Sequence, residues 1–155
     1  MGKNEQRLRE LGIEIPAPPL PQASYLPAVK ANGFVQTSGQ LPLQDGKLVY
    51  QGKVGKDLTV EEGAAAARLC CLNCLAAIRN LLGSLDLIEQ IVMVRGYVNS
   101  APDFSGQALV LEGASKLLIE IFGDSGKHAR LAVGVSDLPG GAAVELELLA
   151  EATSP

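Results

Sequence analysis

Little in this chain speaks for the commoner kinds of chemistry. There is one histidine, His128, in 155 residues, and no partner that would orient it is visible nearby. No Ser-His-Asp arrangement can therefore be read, and beside Lys127 the histidine reads as a surface residue. The three cysteines, Cys70, Cys71 and Cys74, are odd in number and crowded together. Adjacent cysteines on one helix point in different directions, which argues against a disulfide framework and for a reducing compartment. Cys71 and Cys74 have the spacing of half a metal site, but on the apolar side of a helix they read as core packing. The 13 Lys and Arg residues are scattered, and a net charge of -4 with a pI near 5.0 offers nucleic acid no electrostatic grip. No apolar run approaches the roughly 18 to 20 residues of a membrane span, and the start, Met1 to Arg7, is too charged for a secretory segment. A cytoplasmic protein with neither nucleic acid nor membrane as partner is expected.

What is present is a globular composition, 47% hydrophobic and 19% charged. That length predicts one domain with a sizeable core, and the apolar excess suggests surface buried against other subunits. Residues 4–12 read as a short helix with Asn4 as N-cap and Gly12 as stop. Prolines from Pro16 to Pro21 then force an extended segment, so residues 1–22 form an arm ahead of a domain over 23–155. Tyr25 to Lys30 and Phe34 to Ser38 are strands joined at Asn32-Gly33, and Leu48 to Gln51 is a shorter strand after Asp45-Gly46.

Thr59 and Glu62 form a capping box opening a helix that ends at Gly83. Ala64, Ala67, Cys71, Cys74, Ile78 and Leu81 make its apolar side, with Arg68, Asn73, Arg79 and Asn80 facing away. Ile91 to Val98 is a buried strand. Asp103 or Ser105 caps a second helix whose apolar side is Leu109, Leu111, Ala114, Leu117, Leu118 and Ile121, with Gly123 as stop. The order predicts an α+β fold, one mixed sheet with both helices on one face. The uncovered face calls for a ring-like oligomer packed sheet inward.

The last stretch, Gly126 to Glu147, reads as a hairpin around Pro139-Gly140-Gly141. Its first strand carries one cation, Arg130, near its start. An arginine at the mouth of a buried sheet is costly unless it meets an anion. Glu145 on the second strand is one such anion and a bound ligand is another; the residues alone leave both open. Tyr25 reads equally as a packed aromatic or as a hydroxyl reaching a ligand. Glu145 shares its side with Glu147, so a solvated face is its competing reading. Gly140-Gly141 is a turn and not a phosphate cradle, since no helix follows it.

Thr37-Ser-Gly-Gln40, Val98-Asn-Ser-Ala-Pro-Asp-Phe104 and Ala129-Arg130 through Leu138-Pro139 to Glu147, in that order, resemble the YjgF/RidA family, also known as endoribonuclease L-PSP. The resemblance covers about residues 23–152. It implies a chorismate-mutase-like fold, a homotrimer, and clefts between neighbouring subunits. It also implies hydrolysis of enamines and imines to a keto acid and ammonia, with no metal or organic cofactor. By resemblance, Arg130 pairs with a substrate carboxylate, Ser38 and Gly39 line the cleft, and Glu145 with Tyr25 places water. The pattern departs from the family at Pro102, at Leu131-Ala132 and at His128, which leaves the carboxylate clamp intact and bears on the substrate. A non-catalytic binder of small carboxylates is the alternative; ribonuclease activity fits poorly with the acidic pI.

Overall fold

The computed structural model describes residues 2–153. Its sheet explains most of the rest. Five strands lie side by side in the order β1 (Ala28–Ala31), β2 (Phe34–Thr37), β7 (Val144–Ala152), β5 (Ile88–Asn99) and β6 (Ala129–Val135). β5 runs parallel to β6 and antiparallel to β7. The 16-residue helix α3 (Gln107–Phe122) connects β5 to β6, the length of crossover that parallel strands require. A two-stranded hairpin, β3 (Leu43–Gln44) and β4 (Lys47–Leu48), stands apart from the sheet.

The expected final hairpin does not exist. β6 and β7 are separated by β5, and the Pro139–Gly141 segment is a 3-10 turn in the crossing between them. Gly140 and Gly141 take φ of 65° and 74° there, which a side chain would oppose. The crossing is tied down where Gly141 O accepts from Gly52 N and Ala143 N donates to Tyr50 O. Glu145 is therefore not on a strand beside Arg130.

Helix α2 (Val60–Leu82) is bounded as its sequence requires. Thr59 Oγ1 accepts from Glu62 N, the Glu62 carboxylate accepts from Thr59 N, and Gly83 closes the helix in the left-handed region. At 23 residues it is long and apolar enough by composition to cross a membrane, contrary to expectation. In this fold its inner residues, from Ala66 and Ala67 through the three cysteines to Ile78, are core. Asn73, expected outside, is buried because its Nδ2 donates to both Leu41 O and Leu43 O, tying the β3–β4 hairpin to the helix. Leu81 and Leu109 instead face solvent. α2 and α3 pack on one face of the sheet, so that Gly113 lies against the Ala64 backbone and Gly96 under the Leu111 side chain.

The N-terminal segment carries helix α1 (Lys3–Leu11), which docks on α3 and on the 3-10 turn Leu85–Leu87. Its N-cap position is Gly2 rather than Asn4, and no side chain of its own caps it. Asp86 does so from across the fold, accepting from Gly2 N, Asn4 N and Glu5 N at 2.8–2.9 Å. Glu5 in turn holds Arg79 at 2.6 Å and accepts from Leu85 N. α3 likewise lacks the expected cap from Asp103 or Ser105; its N-cap is Gly106, and Gln107 Nε2 donates back to Phe104 O. The Leu48–Gln51 strand shrinks to Lys47–Leu48 plus a lone bridge from Gln51 to Ala142.

Candidate functional site

Strand register decides where each candidate side chain points. Residues opposite one another in a sheet share a face. Arg130 lies opposite Val94, and Val94 lies opposite Leu148; both are fully buried under the helices. Arg130 thus points to the helix layer, at the rim, because β6 is an edge strand. Glu145 lies opposite Tyr97 and between the buried Val144 and Leu146, so it points to the other, uncovered face. The two also stand two strands apart, on the order of 10 Å. Within one chain they are neither an ion pair nor two walls of one cleft.

The guanidinium of Arg130 has its own partners. Nη1 donates to Glu112 Oε1 at 2.8 Å and to Ser115 Oγ at 3.0 Å, both on α3. Among the described residues, no acceptor meets its Nε or Nη2. That leaves open the side-by-side pair of N–H groups that matches a carboxylate in bidentate geometry. Arg130 is partly exposed, with 23% of its side-chain surface accessible, enough for a ligand to reach. His128, two residues earlier and so on the same side, bonds Ser115 Oγ through Nε2 at 2.8 Å and Gly126 O through Nδ1 at 2.6 Å. It is a half-buried residue with two partners, not the unsupported surface histidine that the sequence suggested.

The other end is built differently. Glu145 is half-buried with no hydrogen-bond partner among the described residues, while the neighbouring Glu147 pairs with Arg95 at 3.2 Å. Burial, then the Glu147 charge, pushes the Glu145 carboxyl above the ordinary glutamate range. Burial and the same Glu147 charge push the Tyr97 hydroxyl up as well. Gly39 lies directly over Glu145: a Cβ there would sit 2.5 Å from Oε1. Between Gln36, opposite Leu149, and Gln40, bridged to Leu146, β2 carries one residue more than β7, a bulge at Ser38-Gly39 that bends the chain over the carboxylate.

Ser38 Oγ donates to Leu26 O at 2.5 Å and its N–H to Pro27 O. Its hydroxyl is thereby committed to holding the segment that carries Tyr25, whose side chain is 56% exposed. Ser38, Gly39 and Glu145 thus gather at one end of the paired β2 and β7, with the Tyr25 segment tied to Ser38 and without Arg130.

Sequence reasoning missed Glu112, Ser115 and Tyr97. A serine at 115 among the buried Leu111, Ala114 and Leu118 was the available signal, since a hydroxyl in an apolar stripe needs a partner. The cysteines are fully buried, and burial holds the Cys74 thiol at about 12, too high for a nucleophile at neutral pH. No three His, Cys, Asp or Glu side chains among the described residues are grouped to hold a metal. A groove of about 480 Å³ runs between the proline segment and α2, lined by Pro16, Tyr50, Arg68 and Leu72; neither Arg130 nor Glu145 lines it.

Residues 5–152 match the family described as "YjgF/chorismate mutase-like, putative endoribonuclease", a span that takes in most of α1. The chain is 42% identical over 151 residues to Protein TCP17 of Trypanosoma cruzi, covering 97% of this chain and 94% of that one. It is 37% identical to a "putative endoribonuclease" from Shewanella oneidensis MR-1, with a TM-score of 0.92 over 97% of this chain and 99% of that one. Protein Atu1372 from Agrobacterium tumefaciens is 39% identical, with a TM-score of 0.90 over 97% and 92%.

Proposed function

Because the chain belongs to the YjgF/chorismate mutase-like family, we propose that it is a hydrolytic deaminase of imines and enamines that carry a carboxylate. The observation that carries this reading is the open Nε–Nη2 edge of an arginine whose Nη1 is already held. The substrate carboxylate pairs with that edge. Glu145, unpaired and with its pKa raised, takes a proton from water as the oxygen bonds to the C=N carbon. The C=N electron pair moves to nitrogen, which takes a proton from solvent. Protonated Glu145 then returns its proton to the amino group of the carbinolamine, the C–N bond breaks to release ammonia, and the hydroxyl proton passes to water as the carbonyl of the keto acid forms. Tyr25 places the water, Gly39 leaves room over Glu145, and Ser38 holds the Tyr25 segment. No step calls for a metal or an organic cofactor.

Because the two ends are on opposite faces of one sheet, this chemistry needs Arg130 of one copy beside Glu145 of the next. A homotrimer with the uncovered sheet faces turned inward supplies that arrangement. The exposed Val29, Phe34 and Leu131 on that face support it.

The test generates 2-iminopropionate in situ from alanine with an amino acid oxidase and follows its decay. The protein accelerates the decay, and Arg130→Ala loses about 100-fold in kcat/KM, the worth of two charge-assisted hydrogen bonds. Equal acceleration by Arg130→Ala would sink the reading. A non-catalytic binder of small carboxylates is the second reading, favoured by Ala132 and Pro102, which carry no polar side-chain group while Arg130 is kept. Keto-acid binding with no turnover on any imine selects it. The word endoribonuclease attached to the relatives points to RNA, but a net charge of -4 weighs against it; RNA retention on a filter that falls with salt would reverse that judgement.

A further inference from the structure

The residues around Arg130 form a directed chain of hydrogen bonds. Gly126 O can only accept, so the His128 Nδ1 at 2.6 Å from it carries the hydrogen. In the neutral imidazole Nε2 is then bare, and the Ser115 hydroxyl 2.8 Å away must donate to it. With its hydrogen so directed, Ser115 Oγ turns a lone pair to Arg130 Nη1 at 3.0 Å. Glu112 Oε1 takes the other hydrogen of the same nitrogen. The far end of the chain is fixed by packing: Gly126 lies flat on the Leu118 carbonyl at the end of α3, where no Cβ fits. Gln90 Nε2 donates to Lys127 O and holds the lead-in to β6 from the other side.

Two periodicities converge here. His128 and Arg130 share a side of an extended segment, and Glu112 and Ser115 share a side of α3. An arginine has four rotatable bonds and ordinarily loses much of its freedom only when the ligand arrives. Here both hydrogens of one terminal nitrogen are spoken for in advance, which fixes the plane of the guanidinium and the direction of its open edge.

We propose that Ser115 and His128 are positioning residues for Arg130, holding its guanidinium turned so that the Nε–Nη2 edge receives the ligand carboxylate. The proposal rests on the reading of Arg130 as the carboxylate clamp. Its consequence is a preorganised anion site, in which His128 acts through Ser115 and takes no part in proton transfer to substrate.

The test titrates the full-length protein with 2-oxobutyrate by calorimetry, alongside melting curves. Arg130→Ala abolishes binding. Ser115→Ala weakens it about tenfold, the usual loss of one hydrogen bond to a charged group, and His128→Asn does the same, since its shorter side chain reaches Gly126 O but not Ser115. His128→Gln, which returns an acceptor to the Nε2 position, recovers most of that loss. In turnover assays the Ser115 and His128 variants raise KM with little change in kcat, a split that general destabilisation does not produce. If Ser115→Ala does not fold, the His128→Asn and His128→Gln pair decides the matter alone. Loss of binding in Arg130→Ala with Ser115→Ala and His128→Asn within twofold of the parent overturns the positioning role and leaves the clamp standing. Equal losses in His128→Asn and His128→Gln overturn it as well. Undiminished binding by Arg130→Ala overturns both the clamp and its positioning.

Discussion

Arg130 and Glu145 are held in opposite ways. The cation is fixed by polar groups: a carboxylate, a hydroxyl and, behind the hydroxyl, an imidazole tied to a backbone carbonyl. The carboxylate is fixed by shape, lying under a residue with no side chain and beside another acid, with no hydrogen-bond partner among the described residues. One group meets an opposite charge before any ligand arrives, and the other is destabilised in its charged form. That is the division of labour expected of a clamp and a base. It also means that the two ends should fail differently when they are altered.

The largest effect is expected at the base. Glu145→Gln should lower kcat on an imine by at least about 100-fold, the ordinary contribution of a general base, while keto-acid binding changes little. Stability should move the other way. A carboxyl whose folded pKa is raised contributes stability below its unfolded pKa and loses it as pH rises through the folded value. The parent protein should therefore lose stability as pH rises through a window beginning near 4.5, the ordinary value for this group. Glu145→Gln should remove that slope and melt higher at neutral pH. Unfolding curves between about pH 4 and 8 for the two proteins check the sign.

A smaller effect is expected from Gly39→Ala. The new Cβ meets the end of a flexible side chain, so the melting temperature should hardly change, while the displaced carboxylate costs turnover about tenfold to 100-fold. A variant that keeps full activity would show that the position of Glu145 over the bulge does not matter, and would break the comparison at its weaker side.

The smallest effect on the site is expected from Asp86→Asn, remote from both ends. Burial alone would raise the Asp86 carboxyl, but bonds from the Glu5, Gly2 and Asn4 amides and from Ser84 outweigh it and hold it below its ordinary 3.8. A depressed folded pKa contributes stability above the unfolded value that is lost as pH falls through the folded one. Asp86→Asn should cost about 1 kcal/mol at neutral pH, as the loss of a helix cap does. The difference from the parent should narrow in acid below 3.8. Ligand affinity and kcat should stay put; a change in either would show that α1 reaches the site.

Much of this was legible in the residues, and the boundary between what was and was not is physical. The residues singled out from the sequence, Tyr25, Ser38, Gly39, Arg130 and Glu145, fall into two groups in the fold rather than one. Ser38, Gly39 and Glu145 come together because β2 pairs with β7, and the Tyr25 segment is tied to Ser38. Arg130 stands apart because β5 enters between β6 and β7. The strands flanking Pro139-Gly140-Gly141 have the composition of a hairpin, and nothing local distinguishes a turn between neighbours from a crossing over a third strand.

What the sequence by itself determined are the features that near neighbours in the chain control. The capping box at Thr59 and Glu62, the stop at Gly83, the turn at Asn32-Gly33 and the buried stripe of α3 from Leu111 to Ile121, though not Leu109, fall where their residues direct. Each is satisfied within a few residues, so local conformational preference is enough. The tertiary structure alone decided which distant groups meet: Asn73 with the β3–β4 carbonyls, Asp86 with the first turn of α1, and Arg130 with Glu112 rather than Glu145. Those pairings join groups far apart in the chain, and a buried donor or charge takes whichever partner the strand order brings within about 3 Å.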